Sequence, residues 1–344
     1  MDNYLNHRAV LRFFVMIALG FCLYPSFANA ITITPARFEI SGNPGETLDQ
    51  EMLLINETDA TETFYSSFLN FEAQGESGTP AFVEPKEGLG TWMSTEISSV
   101  ALVPGQQKII PFKINIPANA EPGGHFAVIF WGTTPPAGGG SGVSVGAQTG
   151  TLVLLSVNGD VKEEAGLLNF NTVGKIFFYN TLPVSFEYRF RNDGGDRVKP
   201  QGKITIRNTV FFPTDYLNAN PVEGNVLPNS TRKINVDWQK YKHPEDYEAP
   251  KGAFSKFWSD VKYQWKNFAV GLYSAKLSLT YGTEGHSAKK TTFFFVFPWQ
   301  LVLVMLLVFI IVFWGGKKLI RRYNRFIIEK ARAGTRLPPG ASHG

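Results

Sequence analysis

A run of about 20 apolar residues, Phe297 to Gly316, is followed at once by a cluster of positive charge, and no other feature constrains the fold as much. At a rise of about 1.5 Å per residue, a helix of that length spans about 30 Å, the thickness of a bilayer's hydrocarbon core. Trp299 and Trp314 stand near its two ends, where indole rings favour the membrane–water interface. Beyond it come Lys317, Lys318, Arg321, Arg322, Arg325, Lys330, Arg332 and Arg336, opposed by Glu329 alone. This predicts a transmembrane helix over 297–316 and a cytoplasmic tail over 317–344. Lys317, Lys318, Arg321 and Arg322 are placed to meet anionic headgroups. Everything before the span is then held outside.

The N-terminus agrees. Arg8 and Arg12 precede the apolar stretch Phe13–Cys22, and Ala28-Asn29-Ala30 supplies a small-residue cleavage site. That is the layout of a signal peptide over 1–30; an uncleaved N-terminal anchor is the rival reading. Cleavage after Ala30 also removes Cys22, the one cysteine of the sequence. The exported part then has no disulfide and no cysteine-ligated metal. A secreted eukaryotic chain of this size usually carries bridges, so a bacterial surface protein is expected.

The net charge of +4 misleads about the exported part. The signal region holds two basic and one acidic residue, and the tail eight basic and one acidic. Subtracting them leaves 23 basic and 27 acidic residues in 31–296, a net of −4. The basic character belongs to the tail, and nothing here points to nucleic acid.

Residues 31–296 are too many for one sandwich of about 100 residues and fit two. Phe112, Ile114 and Ile116 alternate with Lys113 and Asn115, and Phe186, Tyr188 and Phe190 with Glu187 and Arg189. The same alternation runs through Ile234, Val236 and Trp238, and through Ala275, Leu277, Leu279 and Tyr281. Period two puts one face in a core and the other in water. Asn43-Pro44-Gly45, Pro104-Gly105, Asp193-Gly194-Gly195 and Pro228-Asn229 supply the turns. The fold class is therefore all-β: two tandem immunoglobulin-like sandwiches, 31–158 and 159–296, followed by one transmembrane α-helix. A faint repeat supports the pair. In each half a strand ends at an asparagine, Asn56 or Asn192, a Pro-containing turn follows, and a Gly-led strand comes after, at Gly124 and Gly271.

The second copy is longer between its turn and that strand. Phe254, Phe257, Trp258, Val261, Trp265 and Phe268 recur there at helical spacing, predicting an amphipathic helix over 253–268. Its stripe either packs on its own sandwich or lies in the lipid interface, where Trp, Phe and Lys are favoured. In the first copy, Gly132–Gly150 is rich in Gly, Pro and Ser and reads as a mobile loop.

Catalytic patterns are weak in this chain. Gly142-Val143-Ser144-Val145-Gly146 matches a nucleophile pattern, but it falls in the glycine-rich loop without the strand-to-helix context that the pattern needs. His125, His243 and His286 show no metal-ligand spacing. Asp193-Gly194-Gly195-Asp196 lacks a calcium-ligand series and reads as a hairpin turn. No metal, cofactor or enzymatic activity is expected.

Ile31-Thr32-Ile33-Thr34-Pro35-Ala36-Arg37-Phe38-Glu39-Ile40 opens the exported part, followed by Asn43-Pro44-Gly45-Glu46-Thr47 and Asn56-Glu57-Thr58-Asp59. Thr91-Trp92-Met93, Val103-Pro104-Gly105-Gln106, Ile114-Asn115-Ile116-Pro117 and Ala120-Glu121-Pro122-Gly123-Gly124-His125 come later. This resembles the N-terminal peptidoglycan-binding domain of the WxL-interacting proteins of bacterial surfaces, over most of 31–135. The layout of signal peptide, two domains, span and basic tail is similar too. The resemblance implies a first domain that binds peptidoglycan and a second that binds host or partner proteins. The helix over 253–268 and the Gly132–Gly150 loop depart from that pattern. Trp299-Gln300-Leu301 spells W-x-L, a motif of the partner proteins, at the start of the span. The loop Pro122, Gly123, Gly124, His125 is the candidate contact. The expected protein is a non-catalytic, single-pass surface protein that binds cell-wall glycan or a wall-associated protein; the alternative is a scaffold that docks other surface proteins through sheet edges or loops. Oligomeric state is left open.

Overall fold

The computed structural model describes residues 31–135, 148–209 and 212–334, with side chains to 330. The expected signal peptide with Cys22, the Gly142–Gly146 motif and Arg332 and Arg336 of the tail lie outside the described residues or side chains. The chain divides into two compact units. The first comprises residues up to Glu164 together with Asn192–Arg197 and Leu227–Ser230; the second comprises the rest.

The first unit is a β-sandwich. One sheet runs in the order β1 (Ile31–Thr34), β3 (Thr47–Asn56), β8 (Gln107–Asn115), β6 (Met93–Ser94). The other runs β2 (Arg37–Gly42), β10 (Gln148–Val157), β9 (Gly123–Gly132), β4 (Glu62–Gln74), β5 (Thr79–Val83), with β7 (Ser99–Leu102) also on β4. A single helical turn, α1 (Leu89–Trp92), precedes β6. Pairing is antiparallel except between β2 and β10, where Leu152 stands opposite Arg37. Met52 and Leu54 of β3, Ile110, Phe112 and Ile114 of β8, and Ala127, Ile129 and Trp131 of β9 fill the core. On β9 the other face is covered too: Val128 and Phe130 are buried, and Phe82 lies edge-on to Phe130 at 4.9 Å. β9 therefore reads as a near-continuous apolar run, as a central strand covered on both faces should.

The second unit is also a sandwich. Three strands, β11 (Ala165–Thr172), β13 (Val184–Asn192) and β16 (Ser230–Trp238), form one sheet. Five form the other, in the order β12 (Phe178–Tyr179), β18 (His286–Val296), β17 (Gly271–Tyr281), β14 (Gln201–Arg207), β15 (Pro213–Asn218). Phe186, Tyr188 and Phe190, with Ile234, Val236 and Trp238, face Leu277, Leu279 and Phe294 across the core. The Asp193–Asp196 segment, expected as a hairpin turn, instead joins β13 to β14, which belong to different sheets.

α2 (Ala253–Lys266) is inserted between β16 and β17. It stops two residues earlier than expected because Asn267 is consumed as a cap. Its backbone N–H donates to the Tyr263 carbonyl at 2.9 Å, and its side-chain oxygen accepts from the Tyr241 N–H at 2.9 Å. α3 (Trp299–Gly334) follows β18 directly and includes a stretch long and apolar enough to cross a membrane. It does not stop at Gly315–Gly316, where the span was expected to end. Lys317, Lys318, Leu319, Arg321 and Arg322, all good helix formers, carry it on into the basic segment.

Candidate functional site

In the first unit the Pro122–His125 segment is built largely by its own chain. Gly123 adopts φ 120°, and a side chain there would meet the Gly195 carbonyl oxygen at 2.5 Å. The Gly124 N–H donates to that carbonyl at 3.0 Å, and a Cβ on Gly124 would meet Asp196 and the Phe126 ring. Gly195 and Asp196 lie in the Asn192–Arg197 segment, part of this same unit. Both glycines thus serve a close backbone approach, with Gly123 buried and Gly124 half-buried. Pro122 remains exposed and His125 half-buried.

His125 is held from both sides. Its Nε2 donates to the Glu121 carbonyl at 2.9 Å, and its ring lies 4.5 Å from the half-buried Trp92. Trp92 is the last residue of α1. Asn70 on β4 positions that turn by accepting from the Gly90 N–H at 2.8 Å and donating to the Glu87 carbonyl at 2.6 Å. Nothing in the local sequence singled out Asn70, because its two partners lie 17 and 20 residues away. Trp92 and His125 thus form a half-buried ring pair beside the exposed Pro122. An indole face and an imidazole at such a place suit stacking on a sugar ring or capture of an apolar side chain.

In the second unit the six-residue stripe of α2 is split. Val261 is buried, as is Gln264 beside it; Phe254, Trp258, Trp265 and Phe268 are exposed, and Phe257 is intermediate. Most of the stripe is thus left off the sandwich. What fixes the helix lies on its other flank. Tyr263 stacks on His243 at 4.5 Å, and His243 stacks in turn on Tyr247 at 3.7 Å. Tyr247 and Ser259 share a hydrogen bond of 2.6 Å. His243 is thereby a packing element. Gln264 ties α2 to the start of α3: its oxygen accepts from the Leu301 N–H at 2.9 Å and its amide nitrogen donates to Gln300. Trp299 lies 6.4 Å from Phe257. Trp314, Lys317, Lys318, Arg321 and Arg322 are exposed along α3, and the Lys317 ammonium sits 4.3 Å over the Phe313 ring.

A cleft of about 410 Å³ lies on the β14–β15 side of the second unit, lined by Lys203, Tyr216, Asn218 and Glu223 among others. Its cations have partners within it: Lys203 over the Tyr216 ring at 5.1 Å, and Lys199 with Glu223 at 3.7 Å. Among the described residues no group of three or more His, Cys, Asp and Glu side chains is placed to hold a metal ion.

No protein-family model matches the chain, and no curated protein matches it. Solved structures do show similarity. A chain from a chaperone–tip adhesin complex of CFA/I fimbriae is 9% identical, with 77% of this chain and 98% of that one covered and a TM-score of 0.36. The class 5 fimbriae chaperone CfaA is 11% identical, with 78% and 100% covered and a TM-score of 0.34. The E. coli chaperone DraB is 12% identical, with 78% and 95% covered and a TM-score of 0.33. Similarity at that level carries no activity over to this chain, which is all-β, with two sandwiches followed by one apolar helix.

Proposed function

We propose that this chain is a non-catalytic surface protein of a bacterial cell membrane, anchored once through α3 with its N-terminus outside. On this reading its first sandwich binds cell-wall glycan, peptidoglycan above all, or a wall-attached protein. The supporting observation is the junction at α3: a folded β unit runs without a linker into an apolar helix, and basic residues follow on the far side. The Trp92–His125 ring pair and the resemblance of 31–135 to the WxL-interacting proteins favour glycan as the ligand. Retention of the detergent-solubilised full chain on purified peptidoglycan tests this. Sedimentation with the wall material at low and physiological salt is expected, weakened by His125→Ala; a chain that stays in the supernatant at both salts overturns the glycan reading.

A second reading has its own observation. β5 is an edge strand, and it carries Phe82 and Val83 exposed. A partner protein adding to that edge would gain main-chain hydrogen bonds and cover both side chains. Cross-linking in cells through position 82 would then recover a protein rather than glycan.

A further inference from the structure

The end of the second sandwich next to α3 carries apolar side chains that the sandwich does not bury. Register places them. Val296, the last residue of β18, pairs with Gly271 at the start of β17, and Phe178 on β12 pairs with Phe295. The Phe297 N–H donates to the Tyr179 carbonyl at 2.8 Å, so three strands reach their membrane-side limit together. Phe178 is 71% exposed there and Phe293 53%. α2 delivers its free flank to the same level, since Asn267 to Val270 alone separate it from β17, and Gln264 holds it to Leu301 of α3. On that flank Phe254 is 78% exposed, Trp265 65% and Trp258 46%.

Resting on the proposal that α3 spans a membrane, we infer that this rim is a second membrane-contact site: Phe178 and Phe293 on the sheet, with Phe254, Trp258 and Trp265 on α2, sit in the lipid interface and fix the attitude of the second sandwich on the bilayer. Chain length holds the rim close to the bilayer. Three Cα–Cα steps separate Val296 from Trp299, a reach of at most about 11 Å. The headgroup zone on each side of the hydrocarbon core is about 5–8 Å deep. The strand ends are therefore held within or at most a few Å beyond that zone. Trp and Phe are the residues that gain most at that depth, with the ring in the acyl boundary and, for Trp, the N–H toward water.

Spin labels on a full-length Cys22→Ser background test this. Phe178→Cys and Trp265→Cys report the rim, Phe82→Cys in the first sandwich reports water, and Val308→Cys in α3 reports the bilayer interior. The protein is reconstituted in phosphatidylcholine–phosphatidylglycerol vesicles, and each label's collision with oxygen and with a water-soluble nickel chelate is measured. Labels at 178 and 265 are expected to lose nickel collisions several-fold relative to 82 while keeping oxygen collisions, at a depth between 82 and 308. Nickel collisions at 178 and 265 equal to those at 82, with 308 protected, overturn the rim alone. Protection at 178 and 265 from both reagents means that protein covers the rim, and also overturns it. Free nickel access at 308 removes the span, and the rim falls with it.

Discussion

β3 of the first sandwich ends at the buried Asn56, and β13 of the second at the buried Asn192. Each side chain makes the same two bonds. The Asn56 oxygen accepts from the Thr58 N–H at 2.9 Å, and its amide donates to the Ala60 carbonyl at 2.9 Å. The Asn192 oxygen accepts from the Gly194 N–H at 2.9 Å, and its amide donates to the Asp196 carbonyl at 2.7 Å. Offsets of two and four residues recur, so the corner is one device used twice. The two sandwiches diverge elsewhere. The first carries its half-exposed Trp92 near the start of β9, and the second carries its exposed aromatics where α3 begins. A shared corner and different exposed ends fit a duplicated scaffold with distinct surfaces grafted on it.

The largest effect should come from the cores, where the two copies should respond alike. Trp131 and Trp238 are both fully buried. Trp131→Ala and Trp238→Ala should each cost about 3–5 kcal/mol, read by denaturant unfolding of the full chain in detergent. If one is nearly silent, the two cores are not equivalent. Asn56→Ala and Asn192→Ala come next, each with an expected loss of about 1–3 kcal/mol, because backbone groups that the amide satisfied are left buried. The Asn56 amide also donates to the Leu102 carbonyl at 2.8 Å; a negligible loss at either position would break the claim of a repeated corner.

Alkali should separate the units. Burial raises the phenol pKa values of Tyr179, Tyr188 and Tyr273, and all three lie in the second unit. The Tyr188 hydroxyl donates to the Ala219 carbonyl at 3.1 Å, and burial pushes its pKa well up. A phenol whose pKa is higher folded than unfolded contributes stability that is whole below the unfolded value of about 10 and is lost as pH climbs past it. Hydrogen exchange between about pH 9 and pH 11 should show protection in β13 and β17 falling before protection in β3 and β8. Simultaneous loss would mean that these tyrosines do not control the alkaline limit.

The smallest contrast is the sharpest. The Trp238 Nε1–H donates to Asp215 at 3.0 Å, while the buried Trp131 Nε1 has no hydrogen-bond partner. Trp→Phe should therefore cost about 1–2 kcal/mol more at 238 than at 131.

Much of this architecture is legible along the chain. Phe186, Tyr188 and Phe190 alternate in sequence and all three are buried; the same holds for Ile234, Val236 and Trp238. Alternation is local, so it survives without knowledge of partners. The α2 helix was legible as a helix but not in its attachment. Its periodicity marks one stripe, yet the buried contact runs through Val261 and Gln264, because Gln264 answers Gln300 and Leu301, more than 30 residues downstream. The rim was hidden for a related reason. Phe178 belongs to a two-residue strand that pairs in parallel with Phe295, and only that register brings them together. The glycines at 123 and 124 marked a special backbone site, but the Gly195 carbonyl that approaches them lies far downstream and left no local signal.

The central claim is topological: both sandwiches lie on one side of the membrane and the basic end of α3 on the other. Protease added to intact cells, with an epitope at the C-terminus, tests it most directly. Loss of both β units with a protected C-terminal fragment of α3 is the predicted outcome. An accessible C-terminal epitope beside intact, protected sandwiches would contradict the account.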